Sequence, residues 1–244
     1  MLQKSNGRHK KVMLHPTGLS EQRQSIQDLW SEFNLGRTLF SQFPDYDRYI
    51  ADLLCQLIRN KQTIVEYGCG DGVWLEYLAK LYPNKTFVGV EWNQTLMEYA
   101  RDKRFKNLLN VKLYHEDATK FCVNCDCYFS FGVVEHFSNA TDVIRAWTEY
   151  LSPNGFAVIT VPNLLNTLYA SERARIRVED LLYKDEVVVE AYGFEQLWSH
   201  NTFVRKVMDA GLELLFFRIV DEIEERPLLA VAFKRSVKKK EVKK

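Results

Sequence analysis

The chain of 244 residues has no apolar run long enough to span a membrane, and none follows the basic residues near its start. We therefore expect neither a transmembrane segment nor a secretory leader. Cysteine is sparse and odd in number, five in all. Three of them crowd into "CVNCDC", but a second ligand pair at zinc-finger spacing is missing. Packed or loop thiols in a reducing, cytoplasmic setting are the expectation. The net charge is only +1, so charge argues neither for nor against a nucleic-acid partner. The basic stretches "KSNGRHKK" and "KRSVKKKEVKK" sit at the two ends and read as solvated segments, with a disordered basic tail expected over 236–244. Proline is scarce, six residues, and no internal stretch reads as a linker or a repeat.

What the chain does contain is alternation. "SEQRQSIQDLWSEFNLG" and "DYDRYIADLLCQLIRN" read as helices. From "TIVEY" onward, short apolar strands alternate with helices of about ten residues, which predicts a parallel sheet covered on both faces. After a helix over 201–210, capped by Asn201 and stopped by Gly211, "LELLFFRIV" and "LLAVAFKR" are joined only by "DEIEERP". So short a connection requires an antiparallel pair. The expected fold is α/β and doubly wound, a seven-stranded, mostly parallel sheet with a reversed strand at its end.

Between the first strand and its helix lies "VEYGCGDG", with Gly68, Gly70 and Gly72 in five residues and Glu66 just ahead of them. Glycines packed so closely serve a positive φ or a ligand laid against bare backbone. In an open parallel sheet, ligands bind beyond the carboxyl ends of the strands. The next strand ends in Glu91, placed to accept both hydroxyls of a ribose, so the pair suggests an adenosine-type cofactor. The spacing is G-x-G-x-G, not the G-x-G-x-x-G that suits a pyrophosphate. Glu66 would repel a pyrophosphate and suit an ammonium group. S-adenosyl-L-methionine, which carries an ammonium, a carboxylate and an adenosine, matches better than a nicotinamide dinucleotide.

"VEYGCGDG", "VGVEWN", "HEDAT", "FSFGVVEHF" and "LSPNGFAVITVPN", in this order and spacing, resemble the class I S-adenosylmethionine-dependent methyltransferases. The subgroup is that of ubiquinone/menaquinone-biosynthesis and small-molecule enzymes, with a Rossmann-like fold. The resemblance covers residues 60–161 and continues more weakly through "WSHNTFVRKVMDAGLELL". It implies that Glu66, Gly68, Cys69, Gly70 and Gly72 wrap the methionine part of the cofactor. It further implies that Glu91 binds the ribose, Trp92 flanks the adenine, Asp117 and Ala118 meet its edge, and Phe131 and Gly132 lie under the sulfonium. Residues 1–60 would form a helical cap or lid on a methyltransferase domain over 61–244, and an insertion over 162–200 would shape the acceptor pocket.

The implied reaction is transfer of a methyl group to an O, N or C atom of a small molecule. RNA 2′-O-methylation and a non-catalytic cofactor-binding protein are the alternatives. His136 is the candidate that orients or deprotonates the acceptor; His200, Tyr192 and Glu190 also lie near the expected mouth. Each of the two histidines also has a plain structural reading, as a helix-start residue or a cap. Arg173, Arg175 and Arg177 either face an acidic substrate group or form a solvated face. Some relatives hold a divalent ion with a Glu three positions before a Glu-His pair. Here Glu135 and His136 are present but that position is Gly132, so no metal is expected.

Overall fold

The computed structural model describes residues 31, 35–41, 44–164, 184–189, 195–220 and 227–234. The helix expected over 20–36 therefore lies outside the described residues apart from Ser31 and the Gly36 end, as do the three arginines 173, 175 and 177 and the residues Glu190 and Tyr192.

Helix α1 (Pro44–Ile58) leads into β1 (Thr63–Tyr67), α2 (Val73–Leu81), β2 (Thr86–Glu91), α3 (Gln94–Tyr99) and β3 (Val111–His115). Then follow β4 (Cys125–Phe131), α4 (Ala140–Glu149) and β5 (Leu151–Val161). The chain ends with β6 (Glu186–Val189), β7 (Glu195–Trp198), α5 (His200–Asp209), β8 (Glu213–Ile219) and β9 (Leu228–Phe233). The large sheet has seven strands in the order β3-β2-β1-β4-β5-β9-β8. Strands β1 to β5 are mutually parallel, and β9 runs antiparallel to both its neighbours.

The expected fold class is observed, with one refinement. The reversed strand is last in sequence but not at the sheet's rim. It is inserted between β5 and β8, because the short connection from β8 allows only an adjacent hairpin-like partner while β5 still offers a free edge. Within the insertion expected over 162–200, β6 and β7 form a separate antiparallel pair.

Strand alternation divides the core into two layers. Ile64, Cys127, Phe129 and Val158 face one side, with Ile50, Leu54 and Ile58 of α1 and Leu75 and Leu78 of α2. Val65, Tyr67, Tyr128 and Ile159 face the other, with Ile144 and Trp147 of α4 and Phe203 and Val207 of α5. Of the expected 1–60 cap, α1 thus packs within the core. Helix α5 begins at His200 with Ser199 as its N-cap, Oγ accepting from Thr202 N at 3.4 Å, so the expected Asn201 cap is displaced by two residues. Ser199 has the extended backbone that a cap needs, whereas Asn201 already lies in the first turn. Gly211, at φ +90°, follows the end of this helix as expected. Among the described residues no helix is long and apolar enough to cross a membrane.

Candidate functional site

The sheet order reverses between β1 and β4, and their carboxyl ends open a cleft there. The cleft holds a cavity of about 70 Å³, walled by Glu66 of β1, Gly68 and Gly70 of the loop after it, Trp74 of α2, Phe131 of β4 and Arg37. Gly68, Gly70 and Gly72 all take positive φ, at 72°, 55° and 81°. Two of the glycines also answer to packing. A Cβ on Gly68 would overlap Val133, and one on Gly72 would overlap the Phe105 ring. The loop's tightness therefore comes partly from its own neighbours. Gly70 differs in directing its N–H to Glu91 Oε2, 2.9 Å away.

Glu66 lies in mid-sheet register, opposite Gly89 of β2 and Phe129 of β4, and its side chain ends at the cavity. It is 4% exposed, and its Oε2 has no hydrogen-bond partner among the described residues. Burial, then the charges of Asp71 and Glu91, push its carboxyl well above the usual carboxylate range, against the pull of Arg37 and Arg104. A buried carboxylate without a partner is costly, so the atom is poised for a cation or a strong donor.

Glu91 ends β2 and is almost fully buried. Its Oε1 accepts from Trp92 N at 3.0 Å and Asn93 N at 2.8 Å, so the carboxylate ties the glycine loop to the start of α3. Burial raises its pKa, and the three backbone N–H groups oppose the rise. Asp71, inside the loop, is also buried, and it accepts from Gly36 N at 2.9 Å and from Arg104. Burial raises its pKa too, and the Arg104 pair opposes that.

Of the remaining residues, Trp92 is half exposed and its carbonyl meets His115 Nε2 at 2.8 Å. Asp117 turns onto its own loop, with Oδ1 accepting from Thr119 N at 2.9 Å and Thr119 Oγ1 at 2.7 Å. Although burial works against ionisation, these bonds and Lys120 hold its pKa below the usual range. Ala118 is fixed through its carbonyl, which accepts from Trp147 Nε1 at 2.7 Å, while the indole stacks on Tyr67 at 4.2 Å. Cys69 is buried in the cavity wall, and burial raises its thiol well above the ordinary value. Gly132 leaves β4 at φ +68°. His136 ends a 3-10 turn, Val134–His136, that packs against β7. The His200 ring instead lies 6.1 Å from that of Phe217 on edge strand β8.

The structure thus brings Glu66, Gly68, Cys69, Gly70 and Phe131 to one cavity and joins Glu91 to it through Gly70. Sequence reasoning missed Asp71, Arg37, Trp74 and Arg104. Asp71 is the one with a legible signal, a carboxylate set between two glycines of a tight loop. Arg104, within "RDKR", reads as solvent-facing charge.

Residues 64–155 match the model of a methyltransferase domain. The chain is 27% identical over 116 residues to pavine N-methyltransferase of Thalictrum flavum subsp. glaucum, covering 46% of this chain and 33% of that one. It is 29% identical over 211 residues to tRNA (guanine-N(7)-)-methyltransferase of Thermotoga maritima, covering 85% of this chain and 55% of the relative. It thus spans a third of the first relative and about half of the second. Among solved structures, N-methyltransferase NodS from Bradyrhizobium japonicum WM9, in complex with S-adenosyl-L-homocysteine, superposes with a TM-score of 0.61 at 14% identity, covering 88% of this chain and 99% of NodS. Sheet order, glycine loop and matched segment agree: residues 64–155 match a methyltransferase domain, and the chain has the fold of solved S-adenosylmethionine-dependent methyltransferases.

Proposed function

We propose that this chain binds S-adenosyl-L-methionine and directs its methyl group to an O, N or C atom of a small molecule by in-line displacement. The observation that carries the cofactor is the buried Oε2 of Glu66, without a partner among the described residues, at the cavity beneath the glycine loop. An ammonium group supplies the cation this atom lacks. A pyrophosphate would instead meet three carboxylates, Glu66, Asp71 and Glu91, so the residues fit a sulfonium amino-acid nucleoside and not a dinucleotide. Glu91 Oε2 accepts one N–H and has a lone pair left for a ribose hydroxyl. Trp92 offers an exposed aromatic face beside it, and the braced Asp117–Ala118 loop stands at the next strand end for the adenine edge. Phe131 and the backbone at Gly132 close the floor.

When bound, the cofactor supplies an activated methyl group whose leaving thioether takes the electrons of the broken carbon–sulfur bond. The chain's own task is to align the acceptor's lone pair opposite that bond and to exclude water. Alignment of this kind can contribute roughly 7–11 kcal/mol. An acceptor that arrives protonated needs a base within reach, and the turn after β4 offers His136 for that role. Strand β7 packs against the same turn, and Leu164 N donates to Trp198 O at 3.1 Å, which supports part of the insertion over 162–200 as the acceptor-side wall.

A second reading, with RNA as acceptor, draws support from the tRNA-modifying relative that matches 85% of this chain. Near-neutral charge and the lack of an evident aromatic-plus-basic RNA module make nucleic acid the less expected partner, and this relative weighs against that expectation. Calorimetric titration with S-adenosylhomocysteine and with NAD tests the cofactor. Binding of NAD without S-adenosylhomocysteine would overturn the proposal. Incubation with methyl-labelled cofactor and either total RNA or a small-metabolite extract separates the two acceptor classes by the fraction that gains label.

A further inference from the structure

One buried indole joins two of the strand ends that frame the cofactor cleft. Trp147 of α4 is fully buried, and its Nε1 donates to the Ala118 carbonyl at 2.7 Å. Its ring lies flat on Tyr67, with centroids 4.2 Å apart and planes 3° from parallel, and meets Tyr128 edge-on at 5.9 Å. Tyr67 is the last residue of β1, directly before Gly68. Stacked on one ring and wedged by a second, the indole cannot turn, so the direction of its N–H is fixed relative to the glycine loop. A short hydrogen bond inside an apolar layer passes that direction on to the backbone at Ala118.

The backbone it holds is a single turn. Asp117 opens it: Thr119 N donates to Oδ1 at 2.9 Å, and Lys120 N and Phe121 N both donate to the Asp117 carbonyl, at 2.9 and 3.1 Å. The Ala118 N–H is the donor of this turn that has no partner among the described residues. The second carboxylate oxygen of Asp117, Oδ2, lies 3.6 Å from the Nζ of Lys120, whose side chain is largely exposed. Phe121 roots the far end of the turn against Tyr114, with ring centroids 4.5 Å apart. The near end is rooted by the indole.

We infer that Trp147 is a positioning residue for the cofactor's base: through the Ala118 carbonyl it sets the angle of the Asp117–Ala118 turn, and with it the site's preference for a 6-aminopurine over a 6-oxopurine. The inference rests on the cofactor reading above, in which this turn meets the adenine edge. That edge presents an acceptor, the N1 nitrogen, beside a donor, the 6-amino group. The Ala118 N–H and the Asp117 carboxylate offer the matching donor and acceptor, whereas a 6-oxopurine, with N1–H beside a carbonyl oxygen, reverses both. The match depends on the angle of the turn as much as on its residues, because the two partners sit on consecutive residues and move together when the peptide rotates. Because the same indole stacks on Tyr67, the base is registered against the glycine loop and not held separately.

The test titrates S-adenosylhomocysteine and S-inosylhomocysteine, its 6-oxo counterpart, calorimetrically into the full-length wild type and Trp147→Phe. Phenylalanine keeps a ring against Tyr67 but has no N–H for the Ala118 carbonyl. Wild type should prefer S-adenosylhomocysteine by about tenfold or more. Trp147→Phe should weaken S-adenosylhomocysteine by about tenfold and S-inosylhomocysteine by less than about twofold, so that the preference is largely lost. If Trp147→Phe does not fold, Trp147→3-benzothienylalanine, which keeps the shape of the indole with sulfur in place of the N–H, takes its place with the same expected result. A role in packing alone would weaken both ligands equally, or neither, and either result overturns the inference. A wild type that binds both ligands equally well would overturn it too, by separating this turn from the base. A wild type that binds neither would instead bring down the cofactor reading itself.

Discussion

Glu91→Gln is the most informative single change, because it swaps one oxygen for an NH₂ at nearly constant volume. In the native protein the carboxylate receives three backbone N–H groups, Trp92 and Asn93 on Oε1 and Gly70 on Oε2, at 2.8 to 3.0 Å. A glutamine keeps one acceptor. With its oxygen toward Trp92 and Asn93, its NH₂ faces the Gly70 N–H, donor against donor, in a site only 6% exposed. A buried donor left unsatisfied costs about 1–3 kcal/mol. Removing a carboxylate that burial disfavours offsets part of this, so stability should fall by about 1–2 kcal/mol, read as a lower urea midpoint at unchanged slope. Affinity should fall further. The loop loses its brace, and ribose hydroxyls lose a charged acceptor worth about 1.5–3 kcal/mol. S-adenosylhomocysteine should therefore bind about 10–100-fold more weakly by calorimetry. Affinity within twofold of wild type would refute the ribose role. A loss of stability without a loss of affinity would reduce Glu91 to a brace for the loop.

Glu66→Gln should trade function against stability. Burial, with Asp71 and Glu91, raises the folded-state pKa of Glu66, so the folded protein keeps that proton to higher pH than the unfolded chain does. Stability from this group is full below the unfolded carboxyl pKa and is lost as pH rises through the raised folded value. The variant should therefore lose less stability than wild type as pH rises above the ordinary carboxyl range in urea titrations, while binding S-adenosylhomocysteine about tenfold or more weakly. A variant as pH-sensitive as wild type across that rise would contradict the burial argument. Activity should survive EDTA, because Gly132 stands where metal-dependent relatives place a first carboxylate. His136→Ala should lower turnover by about 10²–10⁴-fold with cofactor affinity little changed. Restoration of EDTA-treated enzyme by Mg²⁺ would show a metal site supplied by other residues. Exchanging residues 162–200 for the insertion of a related enzyme should redirect acceptor choice and leave S-adenosylhomocysteine affinity within about twofold, given that the cavity at Glu66 is walled from other segments.

The strands and helices from 63 to 161 were legible because each has a clean period and a clear stop. "TIVEY" is apolar on both faces because both faces are covered, and "VWLEYLAKLY" carries one apolar stripe. The helix end at Tyr99 was less legible, since the π turn that follows, Ala100–Arg104, has the same composition as a continuing helix. The cap of α5 was placed two residues late because serine and asparagine cap about equally well, and only the chain's direction out of β7 chooses between Ser199 and Asn201. The position of β9 was also out of reach. Connection length demands an antiparallel neighbour, but which edge of β9 meets β5 depends on the free edge that the rest of the sheet leaves.

By itself, then, the order of residues determined the parallel core, the glycine loop with Glu66 before it, and Glu91 at the end of the next strand, because these follow from local periodicity and from spacing along one βαβ unit. Tertiary structure alone decided the rest of the site. Arg37, Asp47, Asp71 and Arg104 come from four separate segments, and apart from Asp71, set between two glycines, nothing local distinguishes their charges from the many that face water. Only when the sheet closes and residues 35–41 cross the glycine loop are those charges desolvated. From that point each must find a partner, and the closure of the chain decides which.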